Sequence, residues 1–171
     1  PLRTKGLTPP AAFLGLVDDP AGQRQFPLVH NFWRDGHLAL YGMTVSGKTT
    51  LLKSLLVSLA CTHTPGQVQF YLAEFGGFGL RSMEAFPHVG AAAGNDEPET
   101  LGGLAKLLGE ELDQRKKRFR KLGTGSLQAY LEAGGEGLPT WIVLADNLNL
   151  AGYEFPEIQE MFIRVGREGA S

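Results

Sequence analysis

Gly42-Met43-Thr44-Val45-Ser46-Gly47-Lys48-Thr49 is the stretch on which the reading of this chain turns. It matches G-x-x-x-x-G-K-[ST] in full, and each fixed position has a physical task. Gly42 and Gly47 let the backbone bend tightly round an anion. The amides of the loop, at Thr44, Val45 and Ser46, and the N-terminus of a following helix then face the phosphates. Lys48 brings a mobile cation to the outer phosphates, and Thr49 offers a hydroxyl to magnesium. Thr50 completes the set of candidate nucleotide contacts. The alternative is a glycine-rich turn capped by Ser46 or Thr49. That alternative leaves unexplained a lysine at the start of a helix, where the dipole disfavours a cation unless an anion is bound. Val45 is β-branched in a loop where glycine is common, so it is expected to stiffen or distort the cradle.

The flanks fit the motif. His37 to Tyr41 (HLALY) reads as a buried strand entering the loop. From Thr49 to Thr62, leucines 51, 52, 55, 56 and 59 fall at helical spacing and predict an amphipathic helix. Cys61 falls on its apolar side and reads as core. Pro65-Gly66 breaks the helix. Val68 to Phe75 reads as a second strand, followed by a glycine-rich turn to Leu80. Residues 81–98 are mixed. A leucine stripe at 101, 104, 107, 108 and 112 predicts a helix over 99–122. A short helix over 124–133, a strand over 139–147 and a last helix over 156–167 complete the pattern. Residues 1–36 read as an extended lead-in with small strands at Phe13–Val17 and Phe26–Val29. The alternation over 37–171 predicts an α/β core, a mainly parallel sheet flanked by helices.

Composition bounds the rest. The chain has 171 residues, a net charge of −2 and a 43% apolar content, which suits one folded domain and excludes disorder. Its single cysteine excludes an intrachain disulfide and a cysteine zinc cluster. No apolar run approaches the roughly 20 residues of a membrane helix. The near-neutral balance argues against a surface built mainly for nucleic acid.

Asp146 ends the apolar run Trp141-Ile142-Val143-Leu144-Ala145. A carboxylate at the end of a buried strand requires a partner, and magnesium is the natural one. A turn or cap aspartate is the alternative. Asn147 stands where a carboxylate would polarise the attacking water. An amide orients water but does not accept its proton, so nucleotide binding with weak or conditional turnover is expected. Glu74, ending the second strand, either acts on the site through water or closes a turn. His88 reads as a surface or structural histidine. Arg115 to Lys121 holds six basic residues in seven. It is either a nucleic-acid patch or, as preferred here, a solvated helix end paired with Glu110, Glu111 and Asp113. Arg115, Arg118, Arg164 and Arg167 are candidate cations for a nucleotide held by a neighbouring subunit.

Taken together these residues resemble the FtsK/SpoIIIE family of ring-forming motor ATPases. The matching pieces are Gly15-Leu16-Val17-Asp18-Asp19-Pro20, Gly36-His37-Leu38 and the phosphate loop. Tyr71 to Gly77 with Gly79-Leu80, Phe86-Pro87-His88-Val89-Gly90, the aspartate strand and Arg164 to Gly169 complete them. The resemblance runs from about residue 13 to the end and is strongest to the EssC/EccC branch of type VII secretion. It implies a RecA-like P-loop NTPase fold, ATP and magnesium (Mg) as cofactors, and catalytic roles at Asp146, Asn147 and Glu74. It implies metal ligation by Thr49 and Asp146. It also implies other ATPase domains of the same chain or ring neighbours as partners, and secreted protein substrates engaged through signal peptide segments. The place implied is cytoplasmic, as the soluble part of a membrane-anchored protein, with no direct membrane span in this stretch. A DNA translocase domain of the same family, with DNA as the less favoured partner, and a non-hydrolysing nucleotide-binding structural domain are the alternatives.

The sequence departs from the family at Glu74, where aspartate is usual, and at Met43-Thr44-Val45, where proline and glycine are common. Leu148 replaces a usual tyrosine. Family members continue past the position of Ser171 with a further apolar strand and a polar sensor. In this fold that strand lies between the loop strand and the aspartate strand. The chain is therefore expected to be truncated before its last strands, with an open slot of unpaired backbone groups.

Overall fold

A computed structural model describes residues 7–77 and 79–169. Its centre is β3 (Val68–Glu74), where every residue but Gln69 is buried. β3 pairs in parallel with β4 (Val89–Gly94) on one side and β5 (Thr140–Asp146) on the other, in the order β4-β3-β5. Alternation along β3 sends Phe70 and Leu72 to one face and Tyr71 and Ala73 to the other. The first face packs with Ile142 and Leu144 under Leu55, Leu56 and Leu59 of α2 (Lys48–Ala60). The second packs under Leu101, Leu104 and Leu108 of α3 (Pro98–Lys121) and under Phe162 of α6 (Pro156–Glu168). The expected parallel sheet with helices on both faces is present.

The lead-in is an antiparallel hairpin, β1 (Ala11–Asp19) with β2 (Arg24–Asn31), which contains both expected small strands. The Phe13 amide donates to Ser58 Oγ at 3.0 Å, seating the hairpin on α2. A single-turn helix, α1 (Phe32–Asp35), follows. Trp33 Nε1 donates to Thr140 Oγ1 at 3.1 Å, which ties this turn to the first residue of β5. α4 (Leu127–Glu132) begins at Ser126, whose Oγ accepts the Ala129 amide. Phe119, Tyr130 and Leu138 close a small separate core beneath it.

Four expectations are corrected. His37–Tyr41 is not a strand: it has no ladder partner among the described residues, and Tyr41 is 93% exposed. Its apolar pattern is right for a strand, but no neighbouring backbone meets it. β4 lies inside the segment read as mixed. Its sequence, Val-Gly-Ala-Ala-Ala-Gly, has almost no strand propensity of its own, and pairing with β3 supplies the order instead. α5 (Leu148–Glu154) fills a stretch for which no helix was anticipated. Cys61 is exposed and not core: it caps α2 two residues beyond Leu59, about 200° round the helix from that leucine. His88 is structural, as preferred. It is buried and its Nε2 contacts the His63 carbonyl at 2.8 Å.

Candidate functional site

The parallel register sets Glu74 beside Asp146, so two strands end together with their carboxylates on the α2 side of the sheet. α2 begins at the same level. Its first residue is Lys48, preceded by Gly47 in the left-handed conformation (φ 89°) that glycine takes without strain. No side chain caps the start of α2 and no acidic residue lies in its first turn. The helix end is thus open to solvent or to an outside anion.

The loop itself is folded round its own lysine. Lys48 Nζ donates to the carbonyls of Gly42 and Met43 at 3.0 and 2.8 Å. The Ser46 amide closes on Met43 O at 3.2 Å. A Cβ at Gly42 would stand 2.5 Å from Ser46 Oγ, so the turn admits only glycine there without rearrangement. Val45 takes φ 63° and is 97% exposed. A β-branched residue in that region is strained. Gly42, Lys48, Asp146 and Asn147 are among the residues lining a groove of about 1100 Å³.

The Thr49 hydroxyl donates to Asp146 Oδ2. Both groups are oxygen ligands of the kind a hard cation takes, and they have been brought together from helix and strand across 97 residues of sequence. No cluster of three or more His, Cys, Asp or Glu side chains able to hold a metal occurs among the described residues. Two protein oxygens suit magnesium, which keeps water and phosphate as its other ligands. The residues present therefore fit a magnesium–nucleotide pair.

Asn147 follows Asp146 with φ 56° and ψ 37°, a left-handed conformation that asparagine tolerates better than most residues. Its Nδ2 leans on Gly76, where an added Cβ would stand 3.3 Å away. Glu74 does not touch the phosphate loop. Both its oxygens are taken by backbone amides of residues 79 to 81. Of the two readings of Glu74, this geometry matches the closing of a turn.

The basic run is partly paired. Arg115 Nε meets Glu111 Oε1 at 2.7 Å, with the guanidinium 5.1 Å from the Trp141 ring centroid. Burial pulls the Arg115 pKa down, opposed by Glu111. Lys116 reaches Glu168 at 2.8 Å, a pairing across 52 residues that helical spacing alone does not reveal. Arg164 pairs with Asp113 and Glu168. Lys117, Arg118, Arg120 and Lys121 are exposed.

A parallel sheet with a glycine–lysine loop opening a helix, and an aspartate at a strand end beside it, is the arrangement of a P-loop NTPase fold. The sequence profile of the FtsK/SpoIIIE family matches residues 16–144, and the chain belongs to that family. The type VII secretion system protein EssC of Staphylococcus aureus is 34% identical over 158 residues, 91% of this chain and 11% of the relative. The solved EssC of Geobacillus thermodenitrificans, comprising its ATPases 2 and 3, superposes with a TM-score of 0.88 at 29% identity. That match covers 100% of this chain and 33% of the other. Thermomonospora curvata EccC, ATPases 2 and 3 in complex with a signal sequence peptide, gives 0.81 at 29% identity over 97% of this chain and 31% of that one. The chain thus spans about a tenth of the length of the curated relatives it matches.

Proposed function

We propose that this domain binds ATP with magnesium and serves as one of several ATPase domains in a type VII secretion protein, with weak or conditional hydrolysis. The observation that carries the reading is the Thr49–Asp146 contact beside the Lys48 loop. It gathers a cation site next to an uncapped helix end. In this reading the amides of Thr44, Val45, Ser46 and Gly47, and the start of α2 at Thr50, surround the phosphates. Lys48 leaves the carbonyls of Gly42 and Met43 for the outer phosphates, and Thr49 and Asp146 hold magnesium. The metal, when bound, would neutralise charge developing between the outer phosphates. Asn147 orients water without accepting a proton, which limits turnover until another group arrives.

Neighbouring ATPase domains and secreted proteins, engaged through signal peptide segments, are the proposed partners, at the cytoplasmic side of a membrane. The signal peptide held by the Thermomonospora curvata relative supports this choice. The exposed cations at the end of α3 would favour DNA instead. A peptide affinity indifferent to salt supports secretion, and a DNA affinity falling steeply with salt supports translocation. We further propose that the slot between residues 37–41 and the open edge of β5 receives an additional apolar strand.

Calorimetry with Mg-ATP, run beside a turnover assay, tests the nucleotide reading. Lys48→Ala is expected to weaken binding by at least about tenfold, a loss near 1.4 kcal/mol. Asp146→Ala is expected to abolish most of the affinity gained from magnesium while sparing metal-free binding. Unchanged affinity in Lys48→Ala would refute the assignment of the loop.

A further inference from the structure

Glu74 is 2% exposed, and a buried carboxylate is costly unless it is well bonded. Its Oε1 accepts the amides of Gly79 at 2.6 Å and Leu80 at 3.1 Å. Its Oε2 accepts those of Leu80 and Arg81, both at 3.1 Å. Three successive amides at the head of the 3-10 turn Leu80–Met83 are thereby fixed to the end of β3. The Arg81 side chain ties the turn onward to Asp96 and Glu97 at 2.7 and 2.9 Å.

This fixed turn stands against the phosphate-loop helix. A Cβ built on Gly79 would lie 3.0 Å from Thr49 Cγ2, so the turn backs directly onto the threonine methyl. Methyl and hydroxyl share one carbon, and χ1 of threonine has few wells. A wall that places the methyl also aims the hydroxyl. Here it aims at Asp146.

We infer that Glu74 is a positioning residue for the magnesium site: through the amides of Gly79 to Arg81 it sets the Thr49 rotamer and so directs the hydroxyl to the cation. The inference rests on the magnesium–nucleotide reading above. It assigns Glu74 no contact with nucleotide, metal or water.

The test is a cycle of variants read as the ratio of ATP affinity with magnesium to affinity in chelator. Glu74→Gln turns one acceptor oxygen into a donor facing amides. It is expected to lower that ratio by about tenfold, the usual size for a group that orients a metal ligand, and to leave chelator affinity within about twofold. Gly79→Ala, which presses a methyl to 3.0 Å from Thr49 Cγ2 but meets Glu74 Oε1 only at an ordinary 3.6 Å, should produce the same selective loss. Thr49→Ser keeps the hydroxyl but has no methyl for the wall to hold, so adding Glu74→Gln to it should change the ratio little. An equal fall of both affinities in Glu74→Gln, or an undiminished effect in the serine background, overturns the positioning role. Thermal melting identifies a variant that fails to fold. If Glu74→Gln is one, the comparison of Gly79→Ala alone with Gly79→Ala in the serine background decides. If the unaltered chain binds no nucleotide under either condition, the underlying reading of the site fails, an outcome separate from the others.

Discussion

Val68–Glu74 and His37–Tyr41 are both apolar runs that arrive at the same end of the molecule, and only the first is a strand. The first lies between two parallel partners, and Phe70, Leu72 and Ala73 are wholly buried. The second has no ladder on either side among the described residues, and Leu38 and Tyr41 are exposed. The difference shows that a hydrophobic run becomes a strand through neighbours that satisfy its amides and carbonyls, with propensity a minor contribution.

Proline substitution should separate the two runs most sharply. Ala73→Pro deletes a central ladder hydrogen bond and is expected to prevent folding. Ala39→Pro is expected to stay within about 0.5 kcal/mol of the unaltered chain in urea unfolding. A cost at Ala39 comparable with that at Ala73 would reveal that residues 37–41 are paired in solution. Leucine truncation gives a smaller contrast. Leu72→Ala should lose about 2–5 kcal/mol, and Leu38→Ala no more than about 0.5. Equal losses would contradict the open slot.

The smallest effect concerns Tyr71, within β3. Burial, reinforced by the charge of Glu111 and opposed by Arg115, pushes its hydroxyl up to about 12 from 10.0. Between those values the unfolded chain ionises this tyrosine before the folded one does. The folded state then holds the extra proton, so stability falls as pH rises through that window and is unaffected below it. Phenolate absorbance should show one late-titrating tyrosine that vanishes in Tyr71→Phe. A stability slope unaltered by that substitution would argue that β3 is less buried than described.

What the sequence discloses, and what it withholds, follows the same logic of local against distant cause. The phosphate loop, α2, α3, β3 and β5 carry their own signals: glycines at fixed offsets, leucines at helical spacing, an apolar run ending in Asp146. β4 carries none, because Ala91, Ala92 and Ala93 become strand only beside Tyr71 to Ala73. Cys61 is not core because it stands about 200° round the helix from Leu59, off the leucine stripe, just past the end of α2. At the site, Lys48, Thr49 and Asp146 are legible as a set, since each belongs to a pattern with a chemical purpose. The service Glu74 gives is not. Its partners are backbone amides, which every residue possesses, so nothing in the letters Gly79-Leu80-Arg81 announces them. The glycine-rich spacing after Glu74 is the one available hint, because it lets the chain return to the carboxylate within five residues.

The lone thiol has a practical consequence. Cys61 lies exposed at the C-terminal cap of α2, whose 13 residues begin at Lys48 of the phosphate loop. A dye coupled there would ride about 20 Å along the helix from the backbone of Lys48, without any other cysteine to mask. The molecule thus comes furnished with its own spectroscopic ruler, able to register a labelled nucleotide settling in the loop or a second labelled copy drawing near.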